Sequence, residues 1–447
     1  MITMRIANEK ARLVPVHFGD QPGPEFQAQL SVLGNLLSGE VEILSPVPLG
    51  AAVPSCEAVL LPEVLGEAYR RIANFTTMGK PLLIITSEFG TVSMWDWEIG
   101  AYLRSEGVHA LAPYNVDQAR HICRALAVKR QLRSAKFLVY QDSPGEGFQA
   151  SIFKRFYWWE EECTQRILEK FGVTIERRSF RELGAEAKCV PDREAEAALR
   201  GRDVPIGGVA PKALLSAAKI YVAVKRAVDA DPTIAAAGIN CLNESHFSDT
   251  TPCLAWNLLY EDMGLTWGCE GDTMSMLTQH ILHRTLEAPI MMTNLYPFLL
   301  GQAALKHERI VAFPEVDRPQ DHVLVAHCGY LGVLPRPFAA EWTLRPKVLA
   351  IVDENATAID ARLPTGPVTL AKLRPKLDAL SVAEGYLEDY AQYAGSDCHN
   401  GGVIRVRDGH KLVTELASHH YLVMSGHHRP DLEFLGRVFD LKLDVIE

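Results

Sequence analysis

None of the nine cysteines, which run from Cys56 to Cys398, is spaced from another as CxxC. The pattern of a structural zinc knuckle or a redox dithiol is therefore missing, and reduced thiols are the simplest reading. Also missing are the GxSxG nucleophile elbow and the GxGxxG and Walker-lysine patterns of nucleotide sites. Positive charge is in deficit: 45 Lys and Arg against 55 Asp and Glu give a net charge of −10. A phosphate backbone or an anionic membrane surface is repelled on average, so neither nucleic acid nor membrane is an expected partner. The N-terminal stretch MITMRIANEKARLVPVHFGD carries charges where a secretory leader needs an apolar run, which points to a cytoplasmic chain. No apolar run is long and unbroken. The stretch from Ala288 to Leu305 is free of formal charge, but Pro289, Asn294, Pro297, Gly301 and Gln302 interrupt it, so a buried strand followed by a loop and helix is expected. Internal repeats and low-complexity linkers are lacking as well.

What is present is ordinary globular material, 48% hydrophobic and 22% charged, in a chain long enough for two or three compact units. The first third alternates short apolar runs with amphipathic stretches, as strands separated by crossover helices do. Strands are expected at Leu13 to His17, Val41 to Leu44, Ala58 to Leu61, Leu82 to Thr86 and Ala110 to Ala112. Helices are expected near Glu25 to Leu37, Val64 to Met78, Trp95 to Ser105 and Val116 to Leu132. A second unit opens at Ser134 with the strand AKFLVYQ, the loop DSPGEGF, and one long helix carrying Phe153, Tyr157, Trp158 and Ile167. It continues through a helix at about Ala210 to Ala230 and strands ending at Cys241 and Cys269. From about Glu308 short strands such as RIVAF, HVLVAH, KVLAIV, GGVIRVRD and HYLVMS follow one another with little helix. The expected fold class is α/β, with αβα units at residues 1–133 and 134–307 and a mostly β unit at 308–447.

Polar residues bunch at strand ends, where ligand loops lie in α/β units. The DSPGEGF turn lacks the GxGxxG spacing and the Walker lysine, so a tight βα turn is its default reading and an anion site on backbone N–H groups the lesser alternative. In LTWGCEGDTMSMLTQHIL, Asp272 is placed to cap the following helix, whereas Glu270, between Cys269 and Gly271, has no such structural explanation. His327 ends the strand HVLVAH, and His419 with His420 opens ASHHYLVMSG. A carboxylate with imidazoles is a donor set for Mn²⁺, Fe²⁺, Co²⁺ or Zn²⁺. His280, His283, His427 and His428 read as surface or helix-packing residues. Loops around Asn243 to Asp249 are placed to contact a substrate.

These residues resemble the L-fucose isomerase and L-arabinose isomerase superfamily of metal-dependent aldose–ketose isomerases, most closely from Gly238 to His327 and over the last thirty residues. WGCEGDTMSML is similar to the strand end whose Glu binds Mn²⁺ and transfers protons there, which implies that role for Glu270. The family's second carboxylate falls here on Asn294. LVAHCG resembles the arabinose-branch histidine strand at His327, and SHHYLVMSG aligns His420 with a metal ligand and His419 with its substrate-contacting neighbour. FGTVSMW is similar to a segment that would carry Trp95 into a neighbouring subunit's site. The resemblance implies two Rossmann-like αβα domains, a C-terminal β-barrel, a Mn²⁺ or similar cofactor, and homo-trimers or hexamers with sites at subunit interfaces. It implies catalytic roles at Glu270 and Asn294, metal ligation by those two with His327 and His420, and substrate contacts from His419, Trp95, Asn243 and Asp272. The expected activity is isomerisation of a pentose, deoxyhexose or modified hexose through an enediol; the competing expectation is a non-catalytic sugar-binding or sensing protein. Asn294 departs from the pattern, because an amide oxygen can ligate a cation but cannot accept and return a proton.

Overall fold

The computed structural model describes residues 9–64, 68–143, 151–156, 159–242, 244–288, 290–297, 315–327, 334–346, 354–391 and 401–447. Its first sheet is parallel and built from β1 (Ala11–His17), β2 (Val41–Ile43), β3 (Val47–Pro48), β4 (Ala58–Leu61), β5 (Leu82–Ile84) and β6 (Ala110–Leu111). The order is β2-β1-β4-β5-β6, with β3 also on β1. Strands such as β4, AVLL, are buried throughout, as continuous apolar runs must be when helices cover both faces. All five strands expected in this region are found.

A second parallel sheet, in the order β10-β9-β7-β8, joins β7 (Lys136–Tyr140), β8 (Thr174–Arg178), β9 (Ile234–Ile239) and β10 (Thr266–Gly268). The single long helix expected after DSPGEGF is corrected to two pieces, Phe153–Phe156 and Glu161–Phe171. The physical reason is Trp159: it is buried between them and donates from its indole Nε1 to the Gly271 carbonyl at 2.7 Å. That hydrogen bond ties the interruption to the loop after β10.

The remaining strands are β11 (Ile290–Pro297), β12 (His322–Ala326), the hairpin β13 (Glu341–Pro346) with β14 (Thr357–Arg362), β15 (Gly366–Leu373), β16 (Ala379–Ala391), β17 (Gly401–Val406), β18 (His420–Ser425) and β19 (Lys442–Val445). Six of them run β15-β18-β11-β12-β17-β16 and close again through β16 to β15, all antiparallel, with β19 added in parallel beside β16. Closure removes the exposed edges that a six-stranded antiparallel sheet would otherwise present. Chain from before residue 308 takes part, since β11 is a barrel strand. RIVAF, KVLAIV, Asn243 and most of DSPGEGF lie outside the described residues.

The helix Val116–Leu132, capped by Asn115 accepting from the Gln118 N–H at 2.9 Å, packs against both the Thr273–Leu286 and the Arg429–Phe439 helices. Its apolar residues Ile122 and Leu126 join one continuous core with Leu13 and Leu60 of the first sheet, Met274 and Leu277, and Leu422 of the barrel.

Candidate functional site

The site forms where the second parallel sheet meets the barrel. Strand β10 ends at Gly268 and the chain makes one tight turn, Cys269–Gly271, before Asp272 caps the Thr273–Leu286 helix. Within that turn Glu270 has φ +56°, a left-handed conformation that costs a non-glycine residue roughly 1–2 kcal/mol and that concentrates at functional positions. Glu270 is also 2% exposed. The turn lies close over β9 because two positions lack side chains. A Cβ at Gly238 would come within 2.9 Å of the Gly268 carbonyl oxygen, and one at Gly268 within 3.0 Å of the Asp272 oxygen.

Ligand-type atoms of Cys269, Glu270 and His327 lie within 4.8 Å of one another, and all three residues are buried. The His420 ring stands edge-on to that of His327, with centroids 5.3 Å apart. Asn294, on β11, is in register with His420 on one side and with Ala326, the residue before His327, on the other. Its Nδ2 donates to the Tyr296 hydroxyl at 3.2 Å, while its buried Oδ1 accepts no hydrogen bond among the described residues. Sequence-distant residues named for one function are thus gathered from two units of the fold.

Asp272 is engaged on both oxygens. Oδ1 accepts from the Ser275 N–H at 2.8 Å, and Oδ2 accepts from the Ser275 hydroxyl at 2.8 Å, His420 Nδ1 at 2.9 Å and Lys372 Nζ at 3.2 Å. Burial acts to raise this carboxyl, but the Lys372 charge and the hydrogen bond from His420 outweigh it and hold the group well below the usual carboxylate range. An ionised carboxylate only accepts, so His420 carries its proton on Nδ1 and presents Nε2 as a lone pair, the form that ligates a cation. For Lys372, completely buried on β15, burial prevails over the Asp272 charge and lowers its pKa. His419 is pushed down to about 4, chiefly by burial, and its ring centroid is 4.2 Å from that of His420.

The other expected residues fall elsewhere. Trp95 stands at the start of the Asp96–Ser105 helix on the first sheet's unit, 71% exposed, near equally exposed Phe89, Met94 and Tyr114 in sequence or space. Asn243 lies outside the described residues. The first N–H groups of the DSPGEGF turn are spoken for: those of Asp142 and Ser143 donate to the buried carboxylate of Glu244, which therefore occupies the place an anion would take. His280 and His283 are inside, bonded to Thr266 and to Tyr260. Two participants escaped the sequence reading. Lys372 is the lone charge in the strand GPVTLAKL, a signal that was available. Cys269 adjoins Glu270, but consecutive residues ordinarily diverge, and nothing in the sequence announces the left-handed turn.

A thiol, a carboxylate and an imidazole so close together can hold a divalent cation; of the cations expected, Zn²⁺, Co²⁺ and Fe²⁺ suit such a set, whereas Mn²⁺ prefers oxygen. No protein-family model matches the chain, and no curated protein matches it either.

Proposed function

We propose that the protein is a metal-dependent aldose–ketose isomerase that works through an enediol on a pentose, deoxyhexose or modified hexose. The observation that carries this reading is the buried cluster of Cys269, Glu270 and His327, with the His420 ring against that of His327 and Asn294 in register with His420 on the neighbouring strand. A bound divalent cation would supply electrophilic stabilisation of the charge that develops on the sugar's O1 and O2. Cys269, Glu270 and His327 would hold it, with His420 beside them.

The chain's own residues account for the proton chemistry. Glu270 takes the proton from C2 of the aldose and returns it to C1, while the hydroxyl proton passes from O2 to O1. Asn294 orients a hydroxyl through its acceptor oxygen and moves no proton. Asp272 does not replace the second carboxylate, since both its oxygens are committed to Ser275, His420 and Lys372; it fixes the His420 imidazole. His419, Trp95 and Asn243 belong to the same reading as substrate contacts. The description of the two parallel units as Rossmann-like, and an assembly of three or six copies, belong to it too. Exposed Phe89, Met94, Trp95 and Tyr114 supply an apolar surface for such an assembly.

The test is a screen of pentoses, deoxyhexoses and acid- or sulfonate-bearing hexoses with added Mn²⁺, Co²⁺ or Zn²⁺. Turnover of one sugar, abolished by EDTA and lowered at least about 100-fold by Glu270→Gln, is expected. Sugar binding indifferent to EDTA and without turnover would instead establish the receptor reading.

A further inference from the structure

A cavity of about 240 Å³ opens where the chain enters β4 and β5, between the end of the Val116–Leu132 helix and the end of the Arg429–Phe439 helix. It shares no residue with the cation cluster. Its lining holds four cations, Lys80, Lys129, Arg130 and Arg133, against one carboxylate, Glu57. That balance runs opposite to the chain's own, whose net charge is −10. Cations in the last turn of a helix are ordinary, because they oppose its dipole, and this accounts for Lys129, Arg130 and Arg133. Lys80 comes from a different element, ahead of β5, and lines the same space.

The Glu57 carboxylate is already committed. It accepts from the Arg130 guanidinium and from the Arg12 backbone N–H at 2.6 Å, and the Arg12 guanidinium stands 3.7 Å from its other oxygen. Arg130 is held further by Glu9 at 2.8 Å. The other three cations have no carboxylate at ion-pair distance among the described residues. Lys80 donates to the Cys56 carbonyl at 2.9 Å and Lys129 to the Val438 carbonyl at 2.6 Å, and both are half-buried while Arg133 is exposed. An ammonium has three N–H donors and a guanidinium a rigid fork of five. Each lysine is therefore fixed in place by one donor and keeps two, and Arg133 keeps its fork. Burial lowers the Lys129 pKa, Arg133 lowers it further, Asp440 acts the other way and Lys170 lowers it again. An anion seated among these groups would relieve their mutual repulsion without first having to order them.

Sites for drug-sized molecules take about 300–1,000 Å³, so the cavity suits a smaller ligand. A phosphoryl group offers three acceptor oxygens and a charge near −2, which answers two ammonium groups and an arginine fork better than a carboxylate's single charge does. We propose that the cavity is a binding site for a phosphoryl dianion, as inorganic phosphate or as the phosphate monoester of a small molecule, held by Lys80, Lys129 and Arg133. It stands apart from the proposed isomerase reading and does not depend on it.

The experiment is calorimetric titration of the full-length protein with inorganic phosphate, with glycerol 3-phosphate and with sodium chloride at matched ionic strength, each with and without EDTA. Saturable one-to-one binding of a phosphoryl ligand, none with chloride and no change with EDTA are expected. Tighter binding of glycerol 3-phosphate identifies a monoester as the ligand; equal or weaker binding identifies inorganic phosphate. Lys80→Gln and Arg133→Gln should each weaken binding about 10-fold or more. Arg133 is exposed, so its variant tests the site without disturbing the fold, and Lys376→Gln, exposed between β15 and β16, should leave binding unchanged. Absence of saturable heat with both phosphoryl ligands overturns the site. So does binding that chloride reproduces, that survives Lys80→Gln and Arg133→Gln, that Lys376→Gln weakens equally, or that EDTA abolishes, the last placing the anion at the cation centre. None of these outcomes bears on sugar turnover, so the two readings fail separately.

Discussion

Asp272 joins a helix cap, a buried ammonium and an imidazole through four hydrogen bonds. Its depressed pKa and the lowered pKa of Lys372 describe the same contact from two sides. The carboxylate gathers several donors and wins against burial; the lysine has a single anion and loses. Removing one member leaves the other's charge buried and uncompensated, which costs about 3–5 kcal/mol, whereas removing both costs much less. Asp272→Asn is therefore expected to lower stability by about 3 kcal/mol, and the Asp272→Asn, Lys372→Met double variant by clearly less than the sum of the two singles. Urea denaturation of the four proteins at pH 7 checks this; additivity within about 0.5 kcal/mol would show that the two residues are not coupled. Because the folded-state pKa of Asp272 lies below its unfolded value, its contribution is full above the unfolded pKa of about 3.9 and disappears as pH falls through the folded one.

The Thr273–Leu286 helix is buried along its whole length, polar positions included. Its sequence, TMSMLTQHILHRTL, reads as a surface helix with one apolar stripe, but the barrel covers one side and the Val116–Leu132 helix the other. Both of its histidines are satisfied inside, His280 by Thr266 at 3.0 Å, and His283 by the Tyr260 hydroxyl at 2.7 Å and the Ala288 carbonyl at 3.1 Å, whereas the side chains of Gln279 and Thr285 find no hydrogen-bond partner among the described residues. Burial, reinforced by the nearby Arg284 charge, pushes His283 down to about 4 and lowers His280 as well. The unfolded chain, titrating near 6.5, binds more protons in between, so stability falls as pH drops from about 6.5 to about 4, by up to ~3 kcal/mol for His283. Urea midpoints measured from pH 7.5 to 5 should decline, and His283→Gln should flatten that decline; an unchanged slope would place the neutral histidine elsewhere. The same helix marks the limit of sequence reading. Strands β1, β2, β4, β5 and β6 and the Val116–Leu132 helix were legible because each is a short apolar run or a single amphipathic stripe between turn residues, whereas β3, two residues long, was not. Glu270, His327 and His420 were legible because chemistry sits at strand ends. Lys372 stands out as the lone charge of its strand, but its partner Asp272 is set only when the barrel closes over the helix, and Cys269 joins the cluster only because the turn goes left-handed.

On the scale of the whole molecule, one apolar core runs from Leu13 and Leu60 through Ile122 and Met274 to Leu422 and Leu435, so the three sheets should unfold together rather than in sequence. The cation cluster spans the same junction, with Cys269 and Glu270 following a strand of the second sheet and His327 following a strand of the barrel. No helix among the described residues is long and apolar enough to cross a membrane. A cation binding only the folded chain adds RT ln(1 + [L]/Kd), about 2.7 kcal/mol at a concentration a hundred times Kd. An unfolding entropy of about 2.1 cal/mol/K per residue gives roughly 0.9 kcal/mol/K if all 447 residues melt as one unit, so the midpoint should rise by about 3 °C. Were the barrel to melt alone, the smaller entropy would make the shift larger and confine it to one of two transitions. Scanning calorimetry with and without Zn²⁺ separates these cases: a single endotherm displaced as a whole is expected, and His327→Ala should abolish the displacement while keeping the single endotherm. Two endotherms, of which one stays fixed, would show that the shared core does not couple the units and that the site is assembled at a weaker joint.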